Sequence, residues 1–294
     1  MTRLRVLVFG GTGAGKTSLC NELSGRERPV GSQARGVTAK SHFFAPFDLG
    51  QHTVELVDTV GLHESLEGTV PADQAALALV DLLQSAREGF HLMIHVSRAG
   101  RLTRQHEQDH ELFVEQLTQH RVPCLLVVTG CENEEPMTQW VEQNRASFER
   151  FGYAGIVATC FGRGGPLESH FAPLRQASRE AVLAALARHA LPEPALVYGG
   201  STAITFNEAL SRLWNAAVEI LGLPARCRRQ VNESAYALLK RVGVPDEVAD
   251  LMVAHIPELM EEVGNKLPVP MLGRVLRQVS AQVLQRWHQS RGSR

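Results

Sequence analysis

Lys16 is one of only four lysines in this chain of 294 residues, and it stands inside the run Gly10-Gly11-Thr12-Gly13-Ala14-Gly15-Lys16-Thr17. The run satisfies G-x-x-x-x-G-K-[ST], follows the apolar stretch Leu4–Phe9 and opens a helical pattern, which is the context the motif requires. Glycines let backbone N–H groups curl around a phosphate chain, and the helix N-terminus adds the positive end of its dipole. The expected phosphate contacts are Gly11, Thr12, Gly13, Ala14, Gly15, Lys16, Thr17 and Ser18. Lys16 should reach the β- and γ-phosphates, and the Thr17 hydroxyl should ligate Mg2+.

A second cluster, Asp58-Thr59-Val60-Gly61, follows the apolar run Val54–Val57, forty-two positions after Lys16. An Asp at a strand end can hold the Mg2+ shell, and the Gly61 N–H can meet a γ-phosphate. Between the two motifs lies Gly36-Val37-Thr38, where Thr38 is the expected switch threonine, contacting Mg2+ and γ-phosphate. Base recognition departs from the usual N/T-K-x-D. The strand after Pro123 ends in Thr129-Gly130-Cys131-Glu132, with Glu132 able to accept from a guanine edge but glycine in the lysine position. Guanine is the expected base, with adenine the alternative that Gly130 leaves open. Thr159-Cys160-Phe161-Gly162 stands where a final base-contacting loop belongs.

Elements must hold these residues on one edge. Short β-branched runs alternate with helical patterns, the signature of an α/β fold, here a three-layer domain with a mainly parallel sheet. Strands are expected at 4–9, 41–45, 53–57, 91–96, 123–129 and 156–160, and helices near 16–24, 72–86, 104–119, 137–150 and 169–187. The nucleotide domain is placed at 1–192, a Pro/Gly/Ser-rich linker at 193–203, and an all-helical extension at 204–294. In that extension Leu210, Leu213, Trp214, Ala217, Val218 and Leu221 fall at helical spacing, a stripe that belongs to core or packing surfaces. A basic final helix could touch an anionic membrane or a protein partner, though packing on the nucleotide domain is the plainer reading.

Net charge is −1, so no global field draws the chain to nucleic acid, and no nucleic-acid partner is expected. Five scattered cysteines without a C-x-x-C pair suit a reducing, cytoplasmic setting. No apolar window approaches membrane-spanning length, and the terminal residues lack the usual myristoyl and prenyl signals.

The stretch VLVFGGTGAGKTSLCNELSG, together with HLMIHVSRAGRLTRQHEQDHELF, resembles the septin-related GTPases. More narrowly, it is similar to the avirulence-induced type of the GTPase of immunity-associated protein family. The family's G-R-Y-T core reads here as Gly100-Arg101-Leu102-Thr103. The resemblance covers about residues 3–190, and the fourth motif is its main departure. It implies a Mg2+-dependent protein that binds GTP, pairs with a second copy across the nucleotide face and hydrolyses GTP to GDP when paired. Leu62 stands where a Ras-like enzyme has its water-orienting glutamine, so catalysis must draw on another group. Arg101 matches the family's box arginine and is the candidate finger supplied in trans, while the neighbouring His63 is a weaker water-positioning candidate. A dimer-built assembly or conformational switch is the expected function, and a GTP-binding scaffold without turnover is its rival.

One further pattern, His106-Glu107-Gln108-Asp109-His110, matches H-E-x-x-H. With no third ligand suggested downstream, zinc is set aside, and the segment is expected to be a solvated helix face near a dimer interface.

Overall fold

The computed structural model describes residues 2–25, 42–59, 79, 82, 83 and 85–220. Seven strands build one sheet: β1 (Thr2–Phe9), β2 (His42–Phe43), β3 (Phe47–Leu49), β4 (His52–Asp58), β5 (Leu92–Arg98), β6 (Cys124–Thr129) and β7 (Gly155–Ala158). Their order is β2-β4-β1-β5-β6-β7, with β3 also on β4. The pairs β4–β1–β5–β6–β7 run parallel, while β2 and β3 run antiparallel to β4. The anticipated strand at 41–45 is only two residues long, and β3 is an addition that the apolar pattern did not reveal.

The central strands are mainly apolar and buried, as strands covered on both faces must be. Period-two alternation splits them between two layers. Leu4, Val6 and Val8 enter one core with Leu19, Leu23, Val182 and Leu186, from helices α1 (Lys16–Ser24) and α4 (Glu168–His189). Leu7 and Phe9 enter the opposite core with Leu82, Leu83, Phe113 and Leu117. A third cluster joins Leu126 and Val128 to Val141 and Phe148 of α3 (Gln139–Phe148). The three layers follow from that division.

Two expectations are corrected. The helix anticipated at 104–119 divides into α2 (Arg104–His110) and a π-helical segment, Glu111–Leu117. Thr118 closes the latter, its hydroxyl donating to the Val114 carbonyl at 3.0 Å. Residues 193–203, anticipated as a linker, contribute to the core: Val197 and Tyr198 are buried in the cluster that holds Leu7 and Phe9. Ala195 exchanges backbone bonds with Phe90 at 2.9 and 3.1 Å, and Leu191 N–H donates to the His91 carbonyl at 2.9 Å. An apolar Val-Tyr pair inside a Pro/Gly-rich stretch gains more by burial against Phe90 and its neighbours than by serving as a spacer.

Of the anticipated extension, helix α5 (Phe206–Ile220) is described. It packs on the π-helical segment, with Leu213 and Ala217 in the shared core and Arg212 Nε donating to the Gln116 carbonyl at 2.8 Å. Residues 221–294 lie outside the described residues, as does most of the helix anticipated at 72–86.

Candidate functional site

The glycine-rich run forms a loop between β1 and α1, at the carboxyl edge of the sheet where parallel α/β folds hold ligands. Gly10 has φ +137°, and a Cβ there would stand 2.1 Å from the Val96 carbonyl oxygen, so the loop can leave β1 only past a residue without a side chain. Thr12 and Gly13 are exposed at the tip. Gly15, with φ +100°, occupies the N-cap position of α1 with no side-chain cap, and no acidic residue sits in the first turn. The leading N–H groups of α1 are thus left without a side-chain acceptor, and their partial positive charge faces no carboxylate in that turn. Lys16 Nζ lies over the loop, donating to the Gly10 and Gly11 carbonyls at 2.6 and 2.9 Å.

Parallel register brings the second cluster alongside. Val8 pairs with Asp58, which is 1% exposed at the end of β4, and Thr59 N–H donates to the Val8 carbonyl at 3.1 Å. Asp58 therefore sits one strand away from the start of the loop that leads into Thr17 of α1. A glycine loop that admits no Cβ at Gly10, an uncapped helix start and an adjacent buried carboxylate fit a Mg2+–phosphate group, with Thr17 and Asp58 as the residues that would hold it. Thr38, Gly61, Leu62 and His63 lie outside the described residues.

The base side is built differently. Thr129, anticipated as a nucleotide contact, turns inward: its hydroxyl donates to the Ala14 carbonyl at 2.7 Å and its methyl lies against Gly15. It ties the end of β6 to the phosphate loop. Glu132 is half-buried, and its Oε2 has no hydrogen-bond partner. Burial raises the neighbouring Cys131 thiol to about 11. Thr159 is buried and donates to the Val128 carbonyl at 2.9 Å, while Cys160 N–H donates to Ser178 Oγ at 2.9 Å. The last loop is thus anchored to β6 and α4 through its first two residues.

The loop after β5 carries Arg101, which is exposed and lines a groove of about 300 Å3 with Leu102, Trp140, Asn144 and Phe148. Sequence reasoning missed Gln105. Its side-chain amide lies 3.0–3.2 Å from the position a Cβ on Gly11 would take, so α2 touches the phosphate loop directly. Gln105 is the second residue of α2, and nothing in the local sequence marks it.

The H-E-x-x-H segment is a clear correction. His106, Asp109 and His110 are buried, not solvated, and among the described residues no group of three or more His, Cys, Asp or Glu is placed to hold a metal. Tyr153 OH bridges His95 Nδ1 at 2.7 Å and His106 Nε2 at 2.9 Å, and His110 Nε2 reaches the Phe151 carbonyl at 2.9 Å. Burial holds His106 down to about 4, helped by nearby His110 and Arg150. Glu107 alone of the motif's charged residues is on the surface, paired with Arg150.

A glycine-rich phosphate loop, a buried strand-end aspartate one strand away and a parallel sheet between helices define the class of fold, that of the P-loop GTPases. Residues 5–130 match the family model described as 50S ribosome-binding GTPase. Two curated relatives are similar. The tRNA modification GTPase MnmE of Opitutus terrae is 36% identical over 91 residues, which cover 27% of this chain and 20% of that protein. GTPase Der of Thioalkalivibrio sulfidiphilus is 35% identical over 114 residues, covering 33% of this chain and 24% of the relative. The chain therefore spans a quarter or less of the curated relatives it matches. Among solved structures, Era of Aquifex aeolicus bound to GDP and AlF4− aligns with a TM-score of 0.46 at 16% identity, over 69% of this chain and 61% of the other. Another is Era in complex with MgGDPNP and 16S ribosomal RNA, at TM-score 0.47 and 14% identity over 69% and 61%. The expected lack of a nucleic-acid partner draws no support from these likenesses.

Proposed function

We propose that the whole chain is a guanine-nucleotide switch that binds GTP with Mg2+, hydrolyses it to GDP and phosphate, and changes its assembly state as it does so. The observation that carries this reading is the phosphate loop itself, with Lys16 over its carbonyls and Asp58 at the end of the adjacent strand. Lys16, Thr17, Thr38 and Asp58 are the residues that would hold the Mg2+-bound triphosphate, and the cation neutralises charge on its oxygens. Lys16 and the α1 N–H groups bind and orient the phosphates, and Gly61 N–H supports the terminal one.

Pairing across the nucleotide face, as in the immunity-associated type, is the finer part of the proposal. Arg101 is exposed on the loop after β5, at the carboxyl edge that holds the phosphate loop, so a second copy facing that edge would meet it. With Leu62 in the place of a water-orienting glutamine, a monomer should turn over slowly and Arg101 of a neighbour should accelerate it by about three orders of magnitude or more. Phosphate release from GTP and ATP, measured across a hundredfold range of protein concentration, tests the reading. GTP-specific activity that climbs with concentration and collapses in Arg101→Ala is expected. GTP binding without turnover at any concentration favours the scaffold, and equal use of ATP overturns the guanine assignment.

A further inference from the structure

Gly130 occupies the position where a guanine-binding loop would carry a lysine to pack on the base, and a side chain there would lie in van der Waals contact with Arg98. An ideal Cβ on Gly130 would stand 3.4 Å from Arg98 Cγ and 3.5 Å from Arg98 Nε. Arg98 is the last residue of β5 and pairs in register with Thr129, so the two strand ends present the arginine beside the Gly130–Glu132 turn. The side chain is exposed, and among the described residues no hydrogen bond or ion pair engages its guanidinium. Gly130 has φ +81°, a backbone conformation that disfavours any larger residue, so the turn leaves the platform to a neighbouring strand. Two residues on, Glu132 holds a carboxylate oxygen that is buried and without a hydrogen-bond partner.

From this juxtaposition we infer that Arg98 supplies the cationic platform for the purine ring of the bound nucleotide, replacing the lysine that Gly130 lacks. The inference rests on the nucleotide-binding reading above and assigns its base-side residue. A guanidinium is planar and weakly hydrated, and it stacks on an aromatic face through both its charge and its π-system. Glu132 then accepts from the edge of the same ring, so the platform gives affinity for purines and the carboxylate sorts among them.

The test uses the full chain with Mg2+ and three probes: GDP, ADP and inorganic tripolyphosphate, each competed against a fluorescent guanine nucleotide. Arg98→Ala should weaken GDP by roughly tenfold, Arg98→Lys by clearly less, and neither should alter tripolyphosphate competition. Unchanged GDP affinity in Arg98→Ala overturns the inference. So does an equal loss for GDP and tripolyphosphate, because the arginine would then act on phosphate or on the fold. Wild-type protein that takes ADP as tightly as GDP defeats the guanine assignment alone; the platform stands if Arg98→Ala then weakens both purines together.

Discussion

Helices α1 and α2 start from adjacent strands at the same edge of the sheet, and each carries a sequence pattern associated with chemistry, yet they use those residues in opposite ways. In α1 the N-cap is Gly15, no side chain caps the first turn and no acid stands in it. In α2 the cap is Thr103, whose hydroxyl accepts from the His106 N–H at 3.2 Å, and Glu107 sits in the first turn. The first helix leaves its positive end to a ligand, whereas the second satisfies that end itself. The motif residues diverge accordingly. Lys16 and the glycine loop stay at the accessible edge, while His106 and His110 turn into the core against Tyr153 and Phe151. A short pattern becomes a site only where its helix leaves the groups accessible and locally unsatisfied.

The largest expected effect tests the first half of that contrast. Lys16→Ala should abolish detectable GTP binding, a loss of at least about a hundredfold for a direct charge–phosphate contact. The far-ultraviolet dichroism should stay unchanged, because Lys16 bonds only to exposed or half-buried loop carbonyls. Retained binding, measured by titration of a fluorescent nucleotide, would remove α1 as the phosphate site. Gly10→Ala comes next. With φ +137° and a 2.1 Å approach to the Val96 carbonyl, a Cβ must displace the loop from β5. The expected cost is roughly 3 kcal/mol, read in denaturant unfolding, together with weaker nucleotide binding.

The same contrast explains what the sequence disclosed. The phosphate side was legible because backbone geometry dictates its residues: Gly10, Gly15 and Lys16 serve one loop shape, and α1 spans Lys16–Ser24 as anticipated. Asp58 followed from spacing after a strand. The base side was legible only in part, since its function passes to residues brought together by strand register rather than by sequence proximity. Thr129 reads as a contact in sequence but serves as a brace to Ala14, and Arg98 and Gln105 carry no local signal. The surface reading of the H-E-x-x-H helix failed for a related reason. Polar letters imply exposure, and only the tertiary arrangement of Tyr153 and Phe151 lets two histidines be buried with partners. Val197 and Tyr198 show the opposite case, two side chains overlooked because Pro and Gly around them implied a spacer.

The histidines provide the third expectation. In the native protein His106 titrates at about 4, against about 6.5 in an unfolded chain, because burial disfavours its charged form. The unfolded state therefore binds more protons between those values. Stability is full above pH 6.5 and falls as pH drops toward 4, by about 2 kcal/mol at pH 5 from this residue alone. His110 and His91 are lowered by burial too and add in the same direction. Denaturant midpoints at pH 7.5 and 5 should show the loss, and His106→Phe should reduce it. A pH-independent midpoint would return these histidines to the surface and blur the distinction between the two helices.

The smallest effect isolates the cap. Thr103 holds an extended conformation, with φ −98° and ψ 157°, and its hydroxyl satisfies one of the four N–H groups that a helix start leaves open. Thr103→Ala removes that acceptor and should cost about 1 kcal/mol, a fall of roughly 2–4 °C in Tm for a domain of this size. Thr103→Asn keeps an acceptor at the same reach and should recover most of it. Nothing comparable can be removed from α1, whose cap is a glycine with no side chain to lose. If Thr103→Ala and Thr103→Asn melt alike at the wild-type temperature, the α2 N-terminus is satisfied by solvent instead, and the difference between the two helix starts reduces to the glycine loop before α1.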